Sequence, residues 1–301
     1  MSAPGPVLKA ASLALLTFVW GTTWAAITIS LRGFPPFTGV ALRFAIAAVL
    51  LVAYSWGMGI PIAAGSARHR KLRVLHALLT FCASYGIIFW AEQWVPSGLA
   101  SVLFATFPLM VTVIAHLALP KERMTVPVMA GVVTGFAGIA LIFAGDFELL
   151  GGSTVAFASV IMLLSPLAGA IVSVSVKRWG SGMHPIPFNA SAMILAAGIM
   201  GLAALIAEKD RPVVLEAGPI VALMYMAIVG TALTFPLYFW LLDHMEARRL
   251  ALIGYGTPVV ALLVGVAFMG EAMTPRTWIG SAMVVIGVAV ASHTRRHQVQ
   301  E

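Results

Sequence analysis

Within the long apolar runs of this 301-residue chain stand a few side chains that hydrocarbon tolerates only at a cost. Arg43 is the most expensive. Its guanidinium either snorkels to an interface or bonds helix-end carbonyls, or else it forms a two-pronged pair with a carboxylate, acting as a binding or gating group. His76, Thr80, Phe81, Ser84, Tyr85, Phe89 and Trp90 follow on one run. Phe81, Tyr85 and Phe89 recur every four residues, so one helix face is an aromatic stripe: ordinary packing, or a wall that grips an apolar side chain with the Tyr85 hydroxyl as a polar handle. Phe235, Tyr238, Phe239 and Trp240 form a second such stripe. Trp20 and Trp24 lie one turn apart beside Thr22 and Thr23, with Gly21 allowing close approach. Trp24 also suits an interfacial aromatic belt. Ser165, next to Pro166, and Asn189 can hydrogen-bond a small polar ligand. Asn189 also opens an Asn-Ala-Ser sequon, but its place at the membrane's cytoplasmic edge argues against glycosylation. Pro108, Pro166, Pro236 and Pro258 each remove a backbone donor, which suits a hinge or frees a carbonyl for binding.

These groups need long helices to hold them. At about 20 apolar residues per crossing, spans are expected at 9–31, 36–57, 73–92, 96–119, 125–144, 154–176, 186–207, 217–241, 248–270 and 275–292. Short loops between them are marked by Pro35 and Pro36, Pro96, Gly151 and Gly152, Pro185 and Pro187, and Pro212. The longest break, Gly57 to Leu72, could hold a short surface helix. The first run is too long for a secretory signal and is read as a span.

Charged residues make up 10% of the chain against 60% hydrophobic, with mean hydropathy +0.99. A soluble protein of this length carries about a quarter charged positions, so the expected class is all-α and polytopic in a lipid bilayer. The net charge of +7 does not indicate nucleic acid, because basic residues cluster between spans and not along a face. With the N-terminus inside, 13 of 18 basic residues fall on the cytoplasmic side and four outside, leaving Arg43 within a span. Both termini are therefore expected to be cytoplasmic. Cys82 is the only cysteine, which excludes an internal disulfide. No metal site, cofactor motif or catalytic constellation is recognisable: HExxH, GxSxG and paired midplane acids are missing. Glu122 and Glu271 follow spans and read as helix caps or as bonds across a turn. Glu92, Asp243 and Glu246 also sit at span ends, so no midplane carboxylate is expected, which argues against proton antiport driven by a membrane-embedded glutamate and leaves His76 as the nearest titratable candidate.

The chain repeats itself. Pro108 matches Pro258 and Phe89-Trp90 matches Phe239-Trp240 at an offset of 150. Glu122, Thr125, Gly131 and Gly138 match Glu271, Thr274, Gly280 and Gly287 at 149. Two units, 1–145 and 146–301, each with five spans, must insert with opposite orientation. Inverted repeats of this kind surround a central site and support alternating access. The glycines of the fifth and tenth spans form small-residue faces for close helix packing, with a dimer seam as the other reading.

The motifs Trp20-Gly21-Thr22-Thr23 and Leu42-Arg43-Phe44, with the repeated Pro, Glu, Thr and Gly pattern, resemble the ten-helix EamA-type transporters of the drug/metabolite transporter superfamily. Among them the chain is most similar to bacterial aromatic amino acid exporters of the YddG type. Lys121-Glu122 stands where the second half has Gly270-Glu271, a modest departure. The resemblance implies ten helices around a central cavity, export of amino acids or related metabolites, and residence in the bacterial inner membrane. The alternative is a proton-coupled drug or metabolite efflux carrier of broader specificity. An intramembrane enzyme lacks its motifs, and a channel would need a continuous polar lining. Expected partners are a small-molecule substrate and the bilayer, with the chain a monomer or weak homodimer.

Overall fold

The structure is a computed structural model that describes residues 5–62, 66–119, 124–144, 151–244 and 252–293. Among the described residues the secondary structure is helical, without strands. Helices α1 (Pro6–Ser30) and α2 (Pro36–Gly57) open with proline in their first turn, where no N–H is needed. Helix α3 runs from Ala67 to Ala91, and α4 from Ser97 to Ala118 with a break at Ala105 and Thr106. Helix α5 is Val126–Phe143. Helix α6 is Ser153–Trp179, interrupted at Leu163, and α7 is Pro185–Ala207. Helix α8 joins Ala217–Ala227, Ile228–Leu233 and Thr234–His244 end to end. Helices α9 (Leu252–Met269) and α10 (Pro275–His293) complete the bundle.

Eight of these helices are long and apolar enough to cross a membrane. The stretches Gly256–Met269 and Pro275–Ala291 are apolar over a shorter described length. Of the ten expected spans, eight are matched by helices of full spanning length among the described residues. The basic stretch before Leu72 is not a separate surface helix. Ser66 caps it, accepting a hydrogen bond from the His69 N–H at 3.3 Å, and it continues directly into α3. Much of the outer surface is apolar: Trp56 is 84% exposed and Phe268 83%, which suits lipid contact.

Loops at the two ends of the bundle sort by parity. At one end Val214 N–H donates to the Gly33 carbonyl, Arg211 to Gln93, and Arg276 to the Ala144 carbonyl. At the other, Arg178 reaches the Ala118 carbonyl and lies with Ser66 and Ser181 around one surface cleft. Two acids tie the first end across the chain. Glu208 accepts from the N–H groups of Phe37 and Thr38, at 2.8 and 2.9 Å, capping α2. Glu271 accepts from Ser97 and Gly98, at 2.6 and 2.9 Å, capping α4. The bond across a turn expected of Glu271 thus reaches a different helix. Asp243 lies on α8 with its side chain outside the described residues, and Glu122 and Glu246 lie outside them altogether.

Helices α2 and α7 pack together, as do α5 and α10, α1 and α9, and the second part of α4 with α6. The α5–α10 contact is glycine against glycine. A Cβ on Gly138 would lie 2.6 Å from the Gly280 carbonyl oxygen, and one on Gly280 the same distance from that of Gly138. The small-residue faces are thus filled within the chain, which removes them as a dimer seam. Gly21 plays a similar part for α1, where an added Cβ would meet Val260 of α9 at 2.5 Å.

Candidate functional site

Wide π turns place the polar groups. The segment His76–Ser84 of α3 and the segment Ile228–Leu233 of α8 are both π-helical, a geometry that recurs at functional positions. Shifting the first by the 150-residue offset overlaps it with the second. In α8 the wide turn lets the Thr231 hydroxyl donate to the Met226 carbonyl at 2.8 Å, five residues back.

That same hydroxyl receives the Arg43 Nε–H at 3.1 Å. Arg43 is 2% exposed, so it does not snorkel but crosses from α2 to α8. Its guanidinium lies 4.9 Å over the Tyr85 ring and 5.8 Å over Phe44, and one terminal nitrogen reaches the Met226 sulfur at 3.7 Å. These are weak partners for a buried cation. Among the described residues no carboxylate stands within ion-pairing distance of Arg43. Sequence reasoning missed Thr231 and Met226, since neither is unusual in an apolar helix and only the fold brings them to Arg43.

His76 bridges two helices. Its Nε2 lies 3.1 Å from Asn189 Oδ1, its Nδ1 lies 3.0 Å from the Thr80 hydroxyl, and its ring stacks on Phe188 at 4.8 Å. The Asn189 amide nitrogen already donates to the Pro185 carbonyl, so Oδ1 is the acceptor and Nε2 carries the proton toward it. The hydroxyls of Ser84 and Ser165 meet at 2.7 Å between α3 and α6, both buried. Phe81 is wholly buried between Phe44, at 4.7 Å, and His76, at 4.4 Å.

A second aromatic group gathers on α1 and α8. Trp20 contacts Tyr238 at 5.5 Å and Phe235 at 6.2 Å, and its indole donates to Thr234 at 3.1 Å. Phe235 also meets Phe81 at 6.3 Å, so the two stripes join. Thr23 is turned back onto the Trp20 carbonyl at 2.7 Å, whereas its neighbour Thr22 pairs with the Tyr225 hydroxyl at 2.6 Å. Trp24 is buried against Phe104. Trp90 stands apart: it packs on Trp94 and Phe157, both largely exposed. Phe239 and Trp240 lie on α8, but their side chains fall outside the described residues. Trp20, Tyr85, Tyr225, Phe235 and Tyr238 are half-buried, whereas Arg43, Phe81, Ser84, Ser165 and Asn189 are buried.

The prolines occupy different local settings. Pro108 lies in the first turn of the second part of α4, and Pro166 follows the interruption at Leu163 in α6. Pro236 lies three residues beyond the π segment of α8, and Pro258 is inside α9. No group of three or more metal-ligating side chains occurs among the described residues.

A model of the EamA-like transporter family matches residues 8–144 and again residues 149–293. The uncharacterized transporter YoaV of Bacillus subtilis (strain 168) is 27% identical, over 93% of this chain and 94% of that protein. The uncharacterized inner membrane transporter YedA of Escherichia coli (strain K12) is 28% identical, over 93% and 89%. The protein PagO of Salmonella typhimurium is 25% identical, over 91% and 89%. A crystal structure of a protein 20% identical superposes with a TM-score of 0.64 over 95% of this chain and 97% of that one, a likeness of fold.

Proposed function

Because the chain belongs to the EamA-like transporter family, and so is a multi-pass membrane transporter and not an enzyme, we propose that it exports amino acids with aromatic or other apolar side chains, together with related metabolites. The observation that carries this reading is Arg43, a buried guanidinium held by a hydroxyl, a thioether and ring faces. A substrate carboxylate is the partner its two-pronged geometry is short of. The half-buried rings of Trp20, Tyr85, Phe235 and Tyr238 suit an apolar side chain, and Trp24, Phe81, Trp90, Phe239 and Trp240 belong to the same proposed aromatic set. Thr23, Thr80, Ser84, Ser165, His76 and Asn189 supply polar contacts.

In this reading the halves 1–145 and 146–301 are inverted repeats of five spans each, with both termini in the cytoplasm of a bacterium and the chain in its inner membrane, as a monomer or weak homodimer. The paired packing supports it. Moving by one half of the chain exchanges the α1–α9 contact with the α6–α4 contact and maps the α2–α7 and α5–α10 pairs onto themselves. Alternating access then rocks the two halves about the central site, with Pro108, Pro166, Pro236 and Pro258 as bending points.

The test is transport by purified protein in liposomes loaded with labelled amino acids. Arg43→Gln is expected to raise KM for aromatic amino acids by about 10- to 100-fold, as loss of a hydrogen bond to charge implies, while leaving the corresponding aromatic amines, which have no carboxylate, little changed. If no amino acid moves under any condition, the assignment as an amino acid exporter is wrong.

A further inference from the structure

One acid is buried without its full complement of partners. Glu92, at the end of α3, is 4% exposed. Its Oε2 receives the Thr28 hydroxyl of α1 at 3.1 Å, but its Oε1 has no hydrogen-bond partner. A carboxylate oxygen out of water and unbonded is among the costlier groups a fold can hold, and a proton on that oxygen removes the cost. A second orphan lies five residues on. The Ser97 hydroxyl is wholly buried and unpartnered, on the same residue whose N–H is held by Glu271.

The groups around Glu92 come from several elements. Arg43 of α2 and Glu271, ahead of α10, both act on it electrostatically, and Thr28 of α1 bonds it. Arg211, from the segment after α7, holds the neighbouring Gln93 at 2.9 Å. The first part of α6, which packs on the end of α3, brings no titratable side chain.

We infer that Glu92 is a proton-binding site of the transport cycle, and that its proton exchanges with the ammonium group of an amino acid substrate whose carboxylate is held by Arg43. The O–H bond forms on Oε1 with a proton from water. The arriving ammonium competes for the same carboxylate, and the displaced proton returns to water. One carboxylate that holds either a proton or an ammonium, never both, makes the two cargoes alternate, which is the requirement for exchange in opposite directions. Glu92 lies one residue beyond the apolar span Ala67–Ala91. Burial holds its carboxyl well above the usual carboxylate range, against the pull of the Thr28 hydrogen bond; Glu271 adds to the rise and Arg43 opposes it. The ammonium part of the inference rests on the amino acid reading of the site; the proton site does not.

The experiment is an infrared pH titration of the full-length protein without substrate, followed by addition of an aromatic amino acid or its N-acetyl derivative. A neutral-carboxyl carbonyl band is expected at neutral pH, absent from Glu92→Gln, present in Glu271→Gln, and diminished by the free amino acid but not by the acetylated one. Matching thermal unfolding of Glu92→Gln shows that the variant folds. In liposomes, the stimulation of transport by a pH gradient should fall to about one-fold in Glu92→Gln. A band unchanged by Glu92→Gln, a band indifferent to the free amino acid, or drive by a sodium gradient in place of a pH gradient would each overturn the inference. A Glu92 band in a protein that moves no amino acid would leave the proton site standing and remove the substrate reading instead.

Discussion

An imidazole set between Thr80 and Asn189 and stacked on Phe188 has every polar atom engaged. His76 therefore reads first as a tie between α3 and α7, and only through a change of partners as a substrate contact. Removing one side of the bond is expected to cost more than removing both, because a lone buried N–H keeps its full desolvation penalty. Asn189→Leu should destabilise the protein by about 1–3 kcal/mol, and adding His76→Phe should recover much of that loss. Thermal unfolding of the two single variants and the double variant measures the coupling. Purely additive losses would mean that the bond contributes nothing. Arg43 differs in kind, since a hydroxyl, a thioether and ring faces hold its guanidinium without a hydrogen-bonded carboxylate among the described residues.

At the scale of elements, glycine decides which helices touch. On α10, a Cβ at Gly287 would come within 2.5 Å of the Gly135 nitrogen and 2.6 Å of the Gly131 oxygen, backbone atoms that cannot swing aside. Gly287→Leu is thus expected to separate α5 from α10 and lower stability by about 1–3 kcal/mol or more. Gly201 on α7 has nothing within 4 Å of the same position. Gly201→Ala should be neutral or stabilising by about 0.5–1 kcal/mol, since alanine is the better helix former. Equal behaviour of the two in chemical or thermal unfolding would contradict the packing described. The two π segments act at the same scale: by widening α3 and α8 they turn Ser84 toward Ser165 and Thr231 toward Arg43.

For the whole molecule, the loops that meet at each end predict which positions share a side of the membrane. Cys82, half-buried and the sole cysteine, can be changed to serine to give a cysteine-free background. Single changes Gln93→Cys and Lys209→Cys are expected to react with an impermeant maleimide from the outside of intact cells, and Arg68→Cys and Ser181→Cys only after the membrane is opened. Labelling of all four from one side would refute an up-and-down bundle. The reverse pattern would keep the bundle and invert the proposed orientation.

Composition and periodicity determined a great deal without coordinates. A chain with 10% charged residues has too little polar surface to face water, so a membrane helical class followed directly. Prolines and a glycine pair marked the loops, and several of those prolines fall in the first turn of the helix that follows, where no N–H is needed. The repeated Pro, Glu and Gly pattern pointed to paired halves, and the motifs around Trp20 and Arg43 to the family. Tertiary structure decided what pairs with what. Thr231 for Arg43, Ser165 for Ser84 and Tyr225 for Thr22 lie between 81 and 203 residues away in sequence, and no local pattern encodes such distances. It also sets Glu92 apart from the other acids. In the sequence this is one more acid at a helix end, where water or a backbone dipole could satisfy it; only the packed helices around it take the water away and leave one oxygen without a partner.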